Sequence, residues 1–493
     1  MMENETQEYK DLTNQIQNNV KYQKKRLSKR IVIVFVVVIW TFSVFMIGSS
    51  VGRNDQLLLI DDELYKIIEV YNIMKDEWFF SDQYENVKSH LVDNALYGMT
   101  NNLTDIHTSY LSEEEVLEFT TDTDHNFVGI GVQYISFNDH NIITNVFPDS
   151  PAKHGGVLAG DIIIAIDGEN ISNYDTDAVK EKVLGNVGES LVLTVLRGSE
   201  LVDLELLRNT IGSVFGHTYD NVGYIEIHSF GTETGAQLRS IVEDFVSKGI
   251  KDFIVSLRGN PGGYLSACID TSEVFLDTGS VVMKEVHQDG TYEVHTTKKE
   301  PVDGVGKVII LVDSGSASAS EVFTLAMREN YNDVQVIGTE TYGKGTMQQT
   351  RYLQDDSAIK FTTAAWQSGN GVMLIDEGIK PDIEVSNNSG LDLLVILDEE
   401  EELNIEYETY DTFNIIISDC LEYIGYENTD IDGYFGANLL DALNRFEKDN
   451  NLELTTDTIT NKTYTNLASR VLYTESEDPA KDLQLNYALD TFK

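Results

Sequence analysis

Cysteine, basic residues and histidine ligand motifs are all scarce in this chain of 493 residues. Its two cysteines, Cys268 and Cys420, lie far apart, so we expect neither a disulfide framework nor a cysteine-based metal cluster. Lys and Arg number 35 against 82 Asp and Glu, a formal charge of −47. This balance argues against a nucleic-acid partner, because phosphates attract clustered basic residues. None of the nine histidines lies in a His-Glu-x-x-His motif, so we expect no metal and no cofactor.

One uncharged stretch, residues 31–52, is long enough to span roughly 30 Å as a helix, the thickness of a bilayer's hydrocarbon core. Six Lys and Arg residues lie just before it, and no acidic residue lies between Asp11 and the stretch. The positive-inside rule therefore predicts a single-pass cell-membrane protein with a cytoplasmic tail, residues 1–30, and an extracytoplasmic bulk. A cleaved signal peptide is the alternative, but no good small-x-small cleavage site follows.

The apolar pattern divides the remaining chain into several segments, as expected for a length that predicts two to four compact units. Segment 53–120 has helical periodicity at 61–78 and 84–99, and then a polar loop with one short helix. Segment 121–210 is β-rich, with strands predicted at 131–135, 142–146, 162–166 and 190–197 and a helix at 176–183.

Beyond residue 210, buried-looking strands alternate with helices, which predicts a largely parallel sheet with crossover helices over 211–387. Its strands are expected at 222–227, 253–257, 308–312 and 334–337. An acidic segment, 388–411, has the like-charge block of a solvated linker. A small helical domain is expected at 412–475 and a tail at 476–493. The predicted fold class is therefore α/β multidomain.

Three glycine-rich motifs carry the candidate chemistry: 257–264, 315–321 and 342–349. Ser318 follows a predicted strand and begins a helix, where unpaired N–H groups carry partial positive charge that can stabilise an oxyanion. The alternative is that the serines of this motif only cap the helix.

Lys344 is the candidate general base, which requires that desolvation lower its pKa towards neutrality. Flanking glycines let the backbone approach closely, and the side chain of Gln348 could orient the amine without adding charge. A surface lysine in a glycine turn is the alternative. Motif 257–264 would turn tightly and aim backbone amides at a substrate oxygen, although an ordinary strand-to-helix turn has the same composition.

Two further motifs are rejected. Residues 338–345 nearly match a phosphate-binding loop, but Gly345 replaces the Ser or Thr that would bind magnesium. Nucleotide hydrolysis is therefore only a secondary alternative. Residues 48–52 fit the nucleophile-elbow pattern, yet they lie at the end of the predicted membrane span with no strand before them.

Over about residues 60–385 the chain resembles the carboxyl-terminal processing peptidases, or tail-specific proteases. The resemblance implies a helical N-terminal segment, a PDZ domain and an α/β Ser-Lys protease core. It assigns Ser318 as nucleophile, Lys344 as base and Gln348 as the orienting amide, with the amides of Gly262 and Ala319 as oxyanion hole. The chain departs from the family at Ser256, where an aspartate is usual, and in a Ser318-to-Lys344 spacing about one residue longer than typical.

Two binding regions follow from resemblance as well. Residues Gly129, Ile130, Gly131 and Val132 are similar to the loop with which PDZ domains capture a terminal carboxylate beside an edge strand; a plain hairpin entry is the alternative. Residues 412–475 are similar to the three-helix peptidoglycan-binding domain, through 432–438 and the apolar residues after it. Those residues could equally serve as helix cap and core.

Together with this resemblance, the sequence predicts a membrane-anchored, extracytoplasmic serine endopeptidase, and the resemblance implies that it cuts proteins near their C-termini. The PDZ domain would deliver protein tails to the site or gate it. The alternative is a wall-tethered PDZ binding scaffold with an inactive core. Protein C-termini, peptidoglycan and the membrane are the expected partners; whether the chain forms a homodimer stays open.

Overall fold

The computed structural model describes residues 62–101, 104–124, 128–172, 174–387, 389–397, 402–427 and 432–493. They belong to two compact units, one ending at Met99 and the other beginning at Thr100. The predicted cytoplasmic tail and membrane span, 1–30 and 31–52, lie outside the described residues. Among the helices that the structure describes, none is both long and apolar enough to cross a bilayer.

The described part of the first unit is helical, as its periodicity predicts. Helix α1 is Asp62–Glu77, and α2, Val87–Thr100, ends where the second unit begins. Apolar residues at helical spacing account for both helices, and each observed end lies within three residues of the predicted one.

A β-rich domain opens the second unit. The elements up to its end are β1 Ser109–Leu111, α3 Glu113–Asp124, β2 Val128–Gly129, β3 Val132–Phe137, β4 His140–Val146, α4 Pro151–Gly155, β5 Ile162–Ile166, β6 Glu169–Asn170, α5 Thr176–Val183, β7 Ser190–Arg197, β8 Glu200–Leu207 and β9 Asn209–Thr210. The main antiparallel sheet has the order β3-β4-β5-β7-β8, which leaves β3 at an edge. Residues Ile143, Ile163 and Leu193 are fully buried in its core. The predicted strands are confirmed; β1, β2, β6, β8 and β9 are not anticipated by the sequence analysis.

An α/β domain follows. Its elements are β10 Val214–Tyr219, β11 Val222–Ile227, α6 Thr234–Ser247, β12 Asp252–Ser256, α7 Leu265–Ser272, β13 Val281–His287, β14 Tyr292–Thr296, β15 Val308–Val312, α8 Ala319–Asn330, β16 Val334–Gly338, β17 Thr346–Tyr352, β18 Ala358–Gln367 and β19 Ile383–Glu384.

Two sheets build this domain. The first has the order β10-β11-β12-β15-β16-β19 and is parallel except for the β10–β11 pair, which confirms the expected βα alternation. Every residue of β15 is buried, as expected for a strand covered on both faces. The second sheet is antiparallel, with β1-β18-β13-β14 in order and β17 paired to β18. The sequence analysis does not predict it, because its strands lack a continuous apolar run.

The C-terminal domain contains β20 Asn404–Glu406, α9 Phe413–Tyr423, α10 Ala437–Asp449, β21 Thr458–Thr460, α11 Asn461–Glu477 and α12 Leu483–Asp490. Strand β20 pairs with β21 although it lies in the segment expected to be a linker. Helix α12 lies in the segment expected to be a tail. Both elements are held by apolar contacts that a local reading of the acidic sequence does not reveal.

This domain contacts both of its neighbours. Phe137, Ile142 and Ile162 of the β-rich domain share one apolar core with α9, α10 and α11. On the α/β domain, Leu485 and Ala488 of α12 pack with the strands of the parallel sheet. The two cysteines, on α7 and α9, are both buried and free, as expected.

Candidate active site

A cleft of about 560 Å³ lies between the two sheets of the α/β domain. Its walls include all five residues proposed for the chemistry, namely Ser318, Ala319, Gly262, Lys344 and Gln348. The structure therefore brings together three motifs that are spread between residues 257 and 349 of the sequence.

Ser318 lies between the C-terminal end of β15 and the first turn of α8. Its φ is +54°, a conformation that costs a non-glycine residue about 1–3 kcal/mol and is concentrated at functional sites. The neighbouring serines have different roles: Ser316 Oγ donates to Leu257 O at 2.7 Å, and Ser320 Oγ donates to Asn260 O at 2.9 Å. They fasten the serine turn to motif 257–264, whereas Ser318 lines the cleft.

The environment of Lys344 shifts its amine towards the neutral form. Burial lowers the pKa of Lys344, and the positive charge of Lys360 lowers it further, while Asp105 and Glu321 act in the opposite sense. Its Nζ has no hydrogen-bond or ion-pair partner among the residues that the structure describes. Trp366 Nε1 donates to the backbone oxygen of Lys344 at 2.8 Å and so fixes the loop.

Gln348 is held by the antiparallel sheet. Its Nε2 donates to Thr346 Oγ1 and to Thr362 Oγ1, both at 3.1 Å. Strand β17 shifts register between Met347 and Gln348, immediately before this contact. In the described part of the chain no hydrogen bond joins the side chains of Gln348 and Lys344, so the amide lines the cleft without yet orienting the amine.

The backbone N–H groups of Gly262 and Ala319, the candidate oxyanion donors, differ in whether they already make a hydrogen bond. Ala319 N–H, in the first turn of α8, makes no backbone hydrogen bond within the described residues. Gly262 N–H donates to Asn260 Oδ1 at 2.9 Å, so this amide is occupied in the present conformation. Gly262 has φ +107°, and a Cβ there would lie 2.9 Å from both Ala317 O and Ser318 Cβ. Only glycine allows this close approach to the serine turn.

Glu321, which the sequence analysis does not identify, joins the serine turn to the lysine loop. Its carboxylate is fully buried. One oxygen accepts from Ser318 N at 2.8 Å and Lys344 N at 3.0 Å; the other accepts from Thr341 Oγ1 at 2.6 Å and Gly343 N at 2.7 Å. The Ser-x-x-Glu spacing of a capping box is the signal that could have found it.

A second missed group comes from the segment before α3. Asp105 accepts from His107 N at 3.0 Å and from Thr108 Oγ1 at 2.6 Å. Burial lowers the pKa of His107 and the charge of Lys344 lowers it further, while Asp105 acts in the opposite sense. Thr108 Oγ1 also accepts from Thr362 N at 3.2 Å. No sequence motif marks this group; the pairing of β1 places it beside β18, the strand whose Lys360 lines the cleft.

The nucleotide alternative is not supported by the local fold. A phosphate-binding loop leads into a helix, whereas residues 339–345 run from β16 into the strand β17. The amides of Gly343 and Lys344 already donate to Glu321, a carboxylate. They are therefore not directed at a phosphate.

The predicted carboxylate-binding loop of the β-rich domain lies beside the edge strand β3. Gly129 ends β2, Ile130 is fully buried, and Val132 begins β3. Gly131 has φ +81°, and a Cβ there would lie 2.4 Å from Ser150 Cβ. Only glycine fits at position 131, because the backbone there lies close to Ser150. The loop lies next to β3, an edge strand that can pair with an added strand.

The residues that suggested a peptidoglycan-binding domain are mostly core. Phe435, Leu439, Ala442, Leu443 and Phe446 are all fully buried in the C-terminal domain. They account for the fold of that domain and do not by themselves present a binding surface.

Comparison with known proteins agrees with this architecture. Residues 221–385 match the family model of peptidase family S41, and 142–197 match that of the PDZ domain. A protein named "Probable CtpA-like serine protease" from Staphylococcus saprophyticus is 30% identical over 437 residues, 86% of each chain. One of the same name from Staphylococcus epidermidis is 31% identical over 451 residues, 88% of each chain.

A solved structure of the photosystem II D1 C-terminal processing protease covers 66% of this chain and 94% of its own, at 20% identity and a TM-score of 0.42. The staphylococcal relatives decide the assignment, because the similarity extends over most of both chains. The chain therefore belongs to the CtpA-like serine proteases of peptidase family S41 and contains a PDZ domain.

Proposed function

We propose that this serine protease is an endopeptidase that cuts proteins near their C-termini, with Ser318 as nucleophile, Lys344 as base and Gln348 as orienting amide. The observation that carries the proposal is that Ser318 and Lys344 line one cleft, where burial lowers the pKa of the lysine. Glu321 supports it, because this buried carboxylate binds the backbone N–H groups of both residues.

The proposed reaction uses only groups of the chain. Neutral Lys344 takes the proton of the Ser318 hydroxyl as Oγ attacks the substrate carbonyl. Ala319 N–H would bind the resulting oxyanion, together with Gly262 N–H once that amide leaves Asn260. The C–N bond then breaks, and the leaving amine takes the proton from Lys344. Finally, Lys344 deprotonates a water that hydrolyses the acyl-enzyme, which releases the new carboxylate and restores Ser318.

The β-rich domain would supply the preference for protein tails. An extended peptide can pair with the edge strand β3, and the amides of the loop at Gly131 can hold its terminal carboxylate. We propose that this capture either feeds the cleft or gates it. A contact between the two regions supports coupling: Glu118 on α3 pairs with Lys180 of α5 at 3.0 Å, while Phe119 on the same helix lines the cleft.

The test uses a denatured protein substrate that ends in an apolar, unblocked tail. We expect Ser318→Ala and Lys344→Ala each to abolish cleavage, while the exposed neighbour Ser314→Ala and the exposed Lys380→Ala retain it. Amidation of the substrate's C-terminus should slow cleavage if the PDZ domain captures the carboxylate. Undiminished cleavage by Ser318→Ala and Lys344→Ala would refute the assignment, and equal rates on both tails would refute tail recognition.

We further propose that residues 31–52 anchor the protease in the cell membrane with its catalytic region outside. The uncharged stretch and the basic residues before it support this topology. Added protease should digest the catalytic region on intact cells if the proposal holds. Peptidoglycan is a proposed partner of the C-terminal domain, to be tested by sedimentation with purified cell wall.

A further inference from the structure

A short motif occurs twice in the β13–β14 hairpin. Residues 285–287 and 293–295 both read Glu-Val-His, and the hairpin turns between them at Gly290, whose φ is +82°. The two copies lie on neighbouring antiparallel strands, with Glu285 directly opposite Glu293. The sequence analysis finds no histidine motif here, because the two copies of the repeat come together only when the strands pair.

The pairing gathers four side chains on one face of the sheet. Residues two apart on a strand point to the same side, so His287 joins Glu285, and His295 joins Glu293. The ligand atoms of Glu285, Glu293 and His295 all lie within 4.8 Å of one another. His295 Nε2 lies 3.2 Å from Glu285 Oε2, and the two nitrogens of His287 lie 4.0 Å from the carboxylates of Glu285 and Glu293.

The facing carboxylates of Glu285 and Glu293 favour a bound positive charge. Like charges directly opposite each other on paired strands are destabilising, and the side chain of Glu285 is only 14% exposed. Two imidazoles and two carboxylates are ligands that zinc accepts in tetrahedral sites, with bonds of about 2.0–2.2 Å. Such bonds place ligand atoms about 3.3 Å apart. The closest pair already has this separation, and rotation of the exposed Glu293 and the partly exposed His287 would bring in the others.

We propose that Glu285, His287, Glu293 and His295 form a binding site for a divalent transition-metal ion of the zinc class. The site lies on the sheet that walls the cleft. Glu285 is paired with Trp366, which bonds the loop of Lys344, and both Trp366 and Met283 line the cleft. A bound ion would tie the edge strand β14 to β13 and so stiffen this wall. The group touches none of the proposed reacting atoms.

The experiment is a zinc titration of the full chain, without an affinity tag and after treatment with a chelator. Calorimetry against a competing chelator should give one ion per chain and a higher thermal midpoint when zinc is bound. His295→Ala and Glu285→Gln should each weaken binding by about 100-fold or more, since even outer ligand contacts are worth 10–100-fold. The exposed histidine variant His154→Ala, outside the cluster, should bind as the parent does.

Three outcomes would overturn the proposal: no stoichiometric zinc binding by the parent, undiminished binding by the double variant His287→Ala/His295→Ala, or equal weakening by His154→Ala. Should the alanine variants fail to fold, the near-isosteric pair Glu285→Gln/Glu293→Gln decides instead. It also separates the proposal from simple pairing of protonated histidines with the carboxylates. Such pairing predicts a hairpin whose thermal midpoint does not respond to zinc in any variant.

Discussion

Substitution of Glu321 by glutamine tests whether this buried carboxylate positions the catalytic pair. Each oxygen of Glu321 accepts two hydrogen bonds, one oxygen from Ser318 N and Lys344 N and the other from Thr341 Oγ1 and Gly343 N. A glutamine NH₂ cannot accept, so either amide orientation leaves two donors unsatisfied. Each unsatisfied buried donor costs about 1–3 kcal/mol, for a total of about 2–6 kcal/mol.

If the lower cost of about 2 kcal/mol is lost from the stabilisation of the transition state, kcat/KM falls about 30-fold. The charge change has a separate signature. Glu321 is one of the groups that raise the pKa of Lys344, so its neutralisation lowers that pKa further. Because the base must be uncharged, the acidic limb of the kcat/KM profile should move to lower pH.

The assay is cleavage of the tail-exposed substrate across a pH series, with thermal unfolding measured in parallel. Glu329→Gln is the matched control, since Glu329 lies on the same helix and binds Ser368 and Asn370 away from the lysine loop. A purely structural role for Glu321 would lower activity without moving the acidic limb. An unshifted limb, or unchanged activity, would refute the positioning role.

Three further predictions follow from the same geometry. Gly262→Ala should reduce kcat by about 10²–10³, because the added methyl group would collide with Ala317 and Ser318. The control Gly259→Ala should keep most of the activity, because its methyl group would meet no atom within 4 Å. Equal losses of kcat in the two variants would contradict this prediction. Lys360→Met should raise the pKa of Lys344 and move the acidic limb to higher pH, opposite in sign to Glu321→Gln; a limb that stays in place in the same pH series argues against that coupling. Asp482→Asn should lower the free energy of unfolding by about 1–3 kcal/mol in urea denaturation. Although burial opposes the shift, Arg258 holds the pKa of Asp482 below its ordinary 3.8. The stability that this carboxylate contributes is therefore present above pH 3.8 and is lost as the pH falls through the lower pKa of the folded state. Equal stability of parent and variant at neutral pH would contradict the prediction.

The sequence predicts the parallel sheet well, and the candidate residues that it proposes lie in one cleft, because both depend on local patterns. Continuous apolar runs mark β12, β15 and β16, and glycine-rich turns at their ends mark the place of Ser318. Lys344 is identified by its flanking glycines, and its burial agrees with the required direction of the pKa shift.

The groups that the sequence does not predict depend on non-local pairing. The antiparallel sheet joins β1 to β18 across some 250 residues, and only this pairing brings Asp105 and His107 to Lys344. In the sequence Glu321 has only the position of an ordinary helix-cap residue, and its contact with the lysine loop forms in the tertiary structure. No local periodicity encodes either contact.

Ser256, for which the resemblance implies an aspartate, takes part in the same kind of long-range contact. Arg258, in the turn that precedes Gly262, is largely buried and requires a carboxylate partner. In this chain it donates to both oxygens of Asp482, at 2.7 and 2.9 Å, and to Ser256 Oγ at 3.1 Å. The carboxylate thus comes from the residue that caps the N-terminus of α12, 224 residues away.

That contact gives the C-terminal domain a role inside the protease. Asp482 also accepts from the backbone of Leu485, so one carboxylate both caps α12 and pairs with the arginine of motif 257–264. The same domain shares a core with the β-rich domain through Phe137. A chain shortened before residue 482 would leave the guanidinium of Arg258 buried without its carboxylate. The turn at 257–264 is therefore expected to lose stability in such a chain.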